Sequence, residues 1–225
     1  MCPEIKSLEV DAGNSEFYSK GNCIIRKNTQ ELILGCQNSI IPNGVKKIGS
    51  DSDFCGSSKI KSLKIPASVM SISAAAFKGC SSLTSLSVDS GNSVYYSEGN
   101  CIIRKEIKEL VRGCSSSVIP EEVTSIGLYA FCGTNFGLRS ISIPIGVKTI
   151  RNYAFGSCSF LRSFNIYYEG SKALWDSISI LDSDVKSAYI SCTDECCFNA
   201  YGSWMPHQIR DWSCWMCGRS DKECL

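Results

Sequence analysis

Residues 11–42 and 89–120 carry nearly one string, D-x-G-N-S-x-x-Y-S-x-G-N-C-I-I-R-K and then E-L-x-x-G-C-x-x-S-x-I-P, identical at 20 of 32 positions. The same 78-residue offset relates Ile41 to Ile119, Ile65 to Ile143, Phe77 to Phe155 and Cys80 to Cys158. Self-similarity at a fixed period decides the architecture before any single residue does. A chain built this way is a stacked array, and its function is expected on an extended surface rather than in a catalytic pocket.

A shorter period sits inside the long one. I-P-x-x-V-x-x-I begins at Ile41, Ile65, Ile119 and Ile143, and a Phe follows each copy (Phe54, Phe77, Phe131, Phe155). Next comes an apolar-x-x-apolar-x-apolar run: Ile60/Leu63/Ile65, Leu83/Leu86/Val88, Leu138/Ile141/Ile143 and Leu161/Phe164/Ile166. A fifth run, Ile5/Leu8/Val10, opens the chain in mid-coil. The alternation in each run predicts a half-buried strand. Pro cannot donate to a ladder, so each Ile-Pro ends that strand and turns the chain. V-x-x-I predicts a second short strand, and the segment after it, such as 127–131, suits one helical or 3₁₀ turn. Its Phe is expected to fill the space between the strands. Cys23–Lys27 and Glu31–Leu34 flank a polar three-residue turn, the pattern of a hairpin inserted into the stack. The five strands from Ser7 to Asn165 are expected to form one parallel sheet, with the two hairpins protruding.

At Ile143-Pro144, Val147, Ile150, Ala154-Phe155, Cys158 and Leu161 the chain carries I-P-x-x-V-x-x-I-x-x-x-A-F-x-x-C-x-x-L. That string, the N-S-x-Y-Y-S-x-G-N-C-I-I-R-K unit and the closing segment from Ile166 to Trp175 resemble the BspA-like (Treponema-type) leucine-rich repeats. The resemblance covers roughly residues 5–190. Phe54 departs from it by standing one residue late, and Cys132 by following Phe131 directly. The resemblance implies a right-handed solenoid of short parallel strands and tight turns, mostly β with little helix. It also implies a secreted or cell-surface microbial protein that binds other proteins, host proteins among them. The expected division is a solenoid over 1–166, in modules 5–82 and 83–160, a cap over 167–194, and a Cys/Trp-rich tail over 195–225.

Composition narrows the function further. A net charge of +1 without like-charge blocks argues against a nucleic-acid or anionic-membrane surface. No apolar run reaches the roughly 18 residues of a membrane helix, so no membrane insertion is expected. No signal peptide is visible at the start, and the array is expected to have lost its true N-terminus. The single His, His207, lies outside the repeats, which excludes a Ser-His or Cys-His pair within them. No phosphate-cradling glycine loop occurs, and Glu121-Glu122 after Pro120 reads as solvated charge. A non-enzymatic protein-binding domain without a cofactor is therefore expected. The competing reading is a binding module cut from a larger surface enzyme.

Of the 15 cysteines, most before residue 160 recur at repeat positions and read as small buried apolar residues. Cys23 pairing with Cys36 is the alternative. Six further cysteines fall in the last 34 residues. There Cys192, Cys196, Cys214 and Cys217 come close to a zinc-ribbon spacing. Zinc, disulfides and a poorly ordered or non-native tail, a frameshifted one included, are the alternatives for this segment.

Strand alternation specifies the expected binding surface. The residue before each middle apolar position is Ser7, Ser62, Ser85, Ser140 or Ser163, and the residue after it is Glu9, Lys64, Ser87, Ser142 or Asn165. A column of small hydrogen-bonding side chains permits close approach of a partner's backbone. The plainer account is that a short polar side chain suits a crowded strand face. The second strand is expected to expose Lys47, Ser71, Ser125 and Thr149 in the same way.

Overall fold

The computed structural model describes residues 5–49, 59–78, 80–134, 140–156, 165–182, 185 and 188–193, and the backbone of 198–199, 209–210 and 213–214. In the first module β1 (Phe17–Lys20), β2 (Cys23–Arg26) and β3 (Glu31–Gly35) are followed by β4 (Lys47–Ile48), β5 (Ser62–Ile65), β6 (Ser71–Ile72) and β7 (Ser85–Val88). The second repeats this order as β8 (Tyr95–Glu98), β9 (Cys101–Arg104), β10 (Glu109–Arg112), β11 (Ser125–Ile126), β12 (Ser140–Ile143) and β13 (Thr149–Ile150). One more turn follows, with β14 (Asn165–Tyr168), helix α1 (Lys172–Asp176), β15 (Ser179–Ile180) and β16 (Tyr189–Cys192). The short strands β17 (Phe198–Asn199), β18 (Ile209–Arg210) and β19 (Ser213–Cys214) complete the elements. The chain is thus a mostly β solenoid with a single short helix among the described residues.

The I-P-x-x-V-x-x-I string has one mechanical explanation, repeated four times. Each proline carbonyl accepts the N–H of the valine three residues on: Pro42 from Val45, Pro66 from Val69, Pro120 from Val123 and Pro144 from Val147, at 3.1–3.4 Å. The turn reverses the chain, buries the valine and delivers the isoleucine into a two-residue parallel strand. β4 pairs with β6, β11 with β13 and β13 with β15, each in parallel register. Ile41, Ile65, Ile119 and Ile143 are all buried, as are Phe77, Phe131 and Phe155. The Phe131 and Phe155 rings stack 5.2 Å apart within the core. The segments before these phenylalanines are turns rather than helical or 3₁₀ pieces, and Tyr129 and Tyr153 take φ of 60° and 54° in them.

The hairpins do not protrude. β1, β2 and β3 form an antiparallel meander whose last strand pairs in parallel with β4, and β8, β9 and β10 do the same with β11. Each hairpin therefore starts the sheet made by the V-x-x-I strands. The G-N pair at its tip forms a left-handed turn, with φ of 59° at Gly21 and 55° at Asn22, and 54° at Gly99 and 56° at Asn100. A Cβ on Gly21 would stand 2.3 Å from the Ile40 carbonyl oxygen, and one on Gly99 2.0 Å from that of Val118. Only glycine fits, because the turn backs directly onto the neighbouring chain.

β9 is a wall between the modules. Cys101 and Ile103 face the core of the second module with Leu110, while Ile102 joins the core of the first with Tyr95, Val111 and Cys114. The Tyr95 hydroxyl accepts the Ile72 N–H at 3.0 Å, so it ends the first sheet at β6. Asn92, 1 % exposed, seals the same seam by donating to the Pro66 and Val69 carbonyls, both at 2.9 Å. In the first module the equivalent residues Phe17, Ile24 and Ile33 are only half-buried, because no described coil covers them.

The L-x-L-x-I strands make a second face, and it is interrupted. β5 pairs only with β7, while β12, β14, β16 and β17 form a separate sheet. One continuous parallel sheet was expected, and two are found. Residues 5–10 form no strand. Residues 36–41 and 114–119 make no ladder bonds to β5 or β12, because their backbone is committed elsewhere. The Ile40 N–H donates to Gly21 O at 2.9 Å and the Val118 N–H to Gly99 O at 2.8 Å. Beyond the second module, β14 pairs with β12 so that Ile166 stands opposite Ile141 and Tyr168 opposite Ile143. The Leu161/Phe164/Ile166 spacing places Ile166 opposite Ile143 instead, a displacement of two residues. Leu161, Phe164 and Phe54 lie outside the described residues. The last turn is closed by Trp175, buried edge-on against Tyr168 at 5.4 Å between ring centres.

Cysteines 23, 36, 101 and 114 are free thiols, and these four are buried together with Cys80, Cys132 and Cys192. Burial raises the Cys23 thiol from 9.0 to about 11, with a Ser39 hydrogen bond opposing and the neighbouring Cys36 adding to the shift. The equivalent Cys101 rises to about 12 for the same first cause.

Two outcomes are expected. Ile102→Ala should cost about 2–5 kcal/mol, as a core truncation does, and the half-exposed Ile24→Ala roughly 1 kcal/mol, measured by denaturant unfolding. Unfolding exposes the two thiols and returns them to about pH 9. Their folded values lie higher, so they contribute no alkaline penalty below pH 9, and stability is lost as pH rises from about 9 to 11–12. A Cys23→Ala/Cys101→Ala chain should show a flatter decline over that window than the parent.

Candidate binding face

On β5, Leu63 and Ile65 point into the core while Ser62 and Lys64 are exposed, the 2-residue alternation of a strand with one wet face. β7 repeats it, with Ser85 exposed and Ser87 half-buried. Parallel pairing sets Ser62 opposite Ser85 and Lys64 opposite Ser87. Lys64 Nζ lies 3.6 Å from an Asp89 carboxylate oxygen, so the first patch ends in an exposed ion pair. In the second patch Ser140 and Ser142 of β12 are exposed, and Ser142 Oγ donates to Glu169 Oε1 at 2.5 Å. Asn165 is half-buried opposite Ser140, and Tyr167 stands opposite Ser142. Asn165 therefore takes the place that spacing assigned to Ser163, which lies outside the described residues. Ser7 and Glu9 are exposed on a segment that is not a strand.

The serine column is thus two patches, separated by residues 114–119. Ser115 N–H and Oγ both bond the Leu83 carbonyl, at 3.3 and 3.1 Å, and Ser116 Oγ bonds that of Thr84 at 2.5 Å. These contacts hold the intervening coil against β7.

Beside the first patch a cavity of about 280 Å³ opens between residues 39–43 and β5. Its floor is apolar, from Ile41, Leu63 and Pro66, and Ser39, Asn43, Ser62, Lys64 and Asp89 supply polar groups. Ile40 at its edge is 75 % exposed, and its repeat equivalent Val118 is 69 % exposed. The 78-residue repeat could have flagged this pair, both β-branched at one module position, but it does not say that they face water.

Two further surface features carry little sequence signal. Glu31 bridges Arg26 and Lys47, and Glu109 bridges Arg104 and Arg151, at 2.8–4.0 Å. Tyr129 and Tyr153 stack 5.5 Å apart on the outside of the coils, with Lys78 Nζ 4.8 Å above the Tyr129 ring centre. Bulky residues in the left-handed region cost about 1–2 kcal/mol each. Glu122 is exposed yet engaged rather than simply solvated: it accepts from the Tyr96 hydroxyl and pairs with Lys108 at 3.3 Å. The Tyr96 bond holds the Glu122 carboxyl below its usual range, while burial first and this bond second push the Tyr96 phenol up.

Cys192 is packed into the core of the last coil and Cys214 lies on β19, while Cys196, Cys217 and His207 are outside the described residues. Among the described residues no group of three or more His, Cys, Asp or Glu side chains is placed to hold a metal ion. No described helix is long and apolar enough to cross a membrane.

The sequence profile of the BspA type leucine rich repeat region (6 copies) matches residues 24–111 and 111–199. The chain therefore belongs to the BspA type leucine-rich repeat family, and this is a repeat family, not that of a catalytic domain. No curated protein sequence matches the chain. A leucine-rich repeat protein from Eubacterium ventriosum is similar at 22 % identity and a TM-score of 0.53, over 67 % of this chain and 40 % of that one. That likeness concerns the fold. A leucine rich cell surface protein from Faecalibacterium prausnitzii is similar at 29 % identity and a TM-score of 0.46, over 73 % and 42 % of the two chains. The chain thus spans about two fifths of the length of these solved proteins.

Proposed function

We propose that this chain is a non-enzymatic protein-binding repeat domain of a microbial surface or secreted protein, used in adhesion or in contact with host proteins. The partner is engaged through the exposed strand face: Ser62, Lys64, Ser85 and Ser87 in the first patch, and Ser140, Ser142 and Asn165 in the second. Ser7 and Glu9, exposed on the segment before β1, are included in this reading as an extension of the face beyond the first patch. The observation that supports this reading is the in-register pairing of Ser62 with Ser85 and of Lys64 with Ser87 over a layer in which Leu63, Ile65 and Leu86 are buried. Such a face is rigid and pre-formed, so little ordering entropy opposes binding, and its short side chains let a partner approach the sheet closely. Secretion and the surface location rest on the resemblance to the BspA-like family.

Immobilised full chain should retain a protein from a panel of purified host extracellular proteins. Ser62→Arg/Ser85→Arg should weaken that binding at least about tenfold, the effect of roughly 1.4 kcal/mol, without changing the thermal midpoint. Binding that survives these arginines, and the matching pair Ser140→Arg/Ser142→Arg, would contradict the assignment of the face.

A further inference from the structure

The break in the L-x-L-x-I face leaves strand edges open, and they repeat 78 residues apart. On β5 the Lys61 carbonyl accepts from Thr84 and Ser85, and the Ile65 carbonyl from Asp89. In a parallel ladder alternate residues direct both backbone groups to the same side, so residues 61, 63 and 65 serve β7. The N–H and C=O of Ser62 and Lys64 then point the other way, toward the cavity that these two residues line with Ile40 and Ile41. Among the described residues no backbone hydrogen bond reaches them from that side. β12 has the same arrangement. Glu169 N–H bonds the Ile143 carbonyl, so Ser140 and Ser142 turn their backbone groups toward the coil of Ile119.

We propose that the open edge of β5 is a strand-addition site for an extended peptide segment of a partner protein. This deepens the strand-face reading above and rests on it. Three observations select an extended peptide as occupant. The exposed chemistry is a row of backbone donors and acceptors, which a second backbone complements and a folded convex surface does not. The cavity floor is apolar at Ile41, Leu63 and Pro66, so it accepts the alternate side chains of a strand. Ile40 stands 75 % exposed at the rim, although its own backbone is bound to Gly21 and Cys23 and is not available for pairing. Edge strands are usually blunted by charge or by cover. β5 carries a single lysine, itself paired with Asp89, and β12 carries no charge.

The probe is a synthetic peptide with the sequence of residues 83–89, which includes the β7 strand that pairs with β5 on its other edge. Titrated into the full chain, it should shift the amide resonances of Ser62 and Lys64 and slow their hydrogen exchange, with those of Leu63 unchanged. N-methylating alternate residues of the peptide should abolish binding. Lys64→Pro removes an N–H that faces the open edge, which strands tolerate, so the thermal midpoint should stay within about 4 °C while affinity falls at least about tenfold. Leu63→Pro, whose N–H serves β7, should unfold the coil. The proposal is overturned if the peptide does not bind at millimolar concentration, or binds without perturbing Ser62 and Lys64. It is equally overturned if Lys64→Pro unfolds the chain as Leu63→Pro does. Those results leave the strand-face reading intact, since that reading falls only if serine-to-arginine changes fail to weaken binding of the host protein.

Discussion

Burial of β9 on both of its faces is the constraint on which the rest of the structure depends. A strand that gives Ile102 to one core and Cys101 and Ile103 to the other cannot belong to an ornamental hairpin. It fixes where the first module ends, because Tyr95 and Asn92 must close on Ile72, Pro66 and Val69. The tip of the same hairpin takes up the backbone of Val118, as the first hairpin takes up that of Ile40. That commitment stops the parallel ladder on the opposite face at each hairpin. The wall between modules and the open strand edges are two consequences of one insertion.

Much of the repeat was legible in the sequence because its residues have local causes. The turn at each Ile-Pro, the buried isoleucines and the core phenylalanines each follow from a property of one residue type at one position. The path of the hairpins was not legible. A run such as C-I-I-R reads the same whether one face or both are covered, and only the neighbouring coil decides. The half-buried Ile24 and the fully buried Ile102 carry the same side chain in the same motif. The register of Asn165 failed for a related reason. Spacing aligned Leu161, Phe164 and Ile166 with the earlier runs, whereas pairing is set by which residues reach the ladder, and Tyr168 is apolar enough to replace an isoleucine opposite Ile143. Likewise the turns at Tyr129 and Tyr153 need a left-handed residue that composition does not announce.

Of the candidate face, sequence located the outward residues of β5, β7 and β12 but not its division into two patches. Alternation tells which side chains face water and says nothing about a missing neighbour. The cavity beside β5, the exposed Ile40 and the backbone groups of Ser62 and Lys64 come into view only once the ladder is seen to stop. Small side chains, the apolar layer beneath them and the unpaired edge of β5 are the features on which the proposed contact with another chain rests.

The direct test of the wall is whether the two modules unfold as one. Because β9 belongs to both cores, denaturant unfolding followed by far-UV circular dichroism and by tyrosine fluorescence should give a single coincident transition. Native-state hydrogen exchange should protect β9 amides as strongly as the most stable strands of either module. Two separated transitions, with β9 exchanging early, would show that the hairpin is peripheral and that the modules are independent.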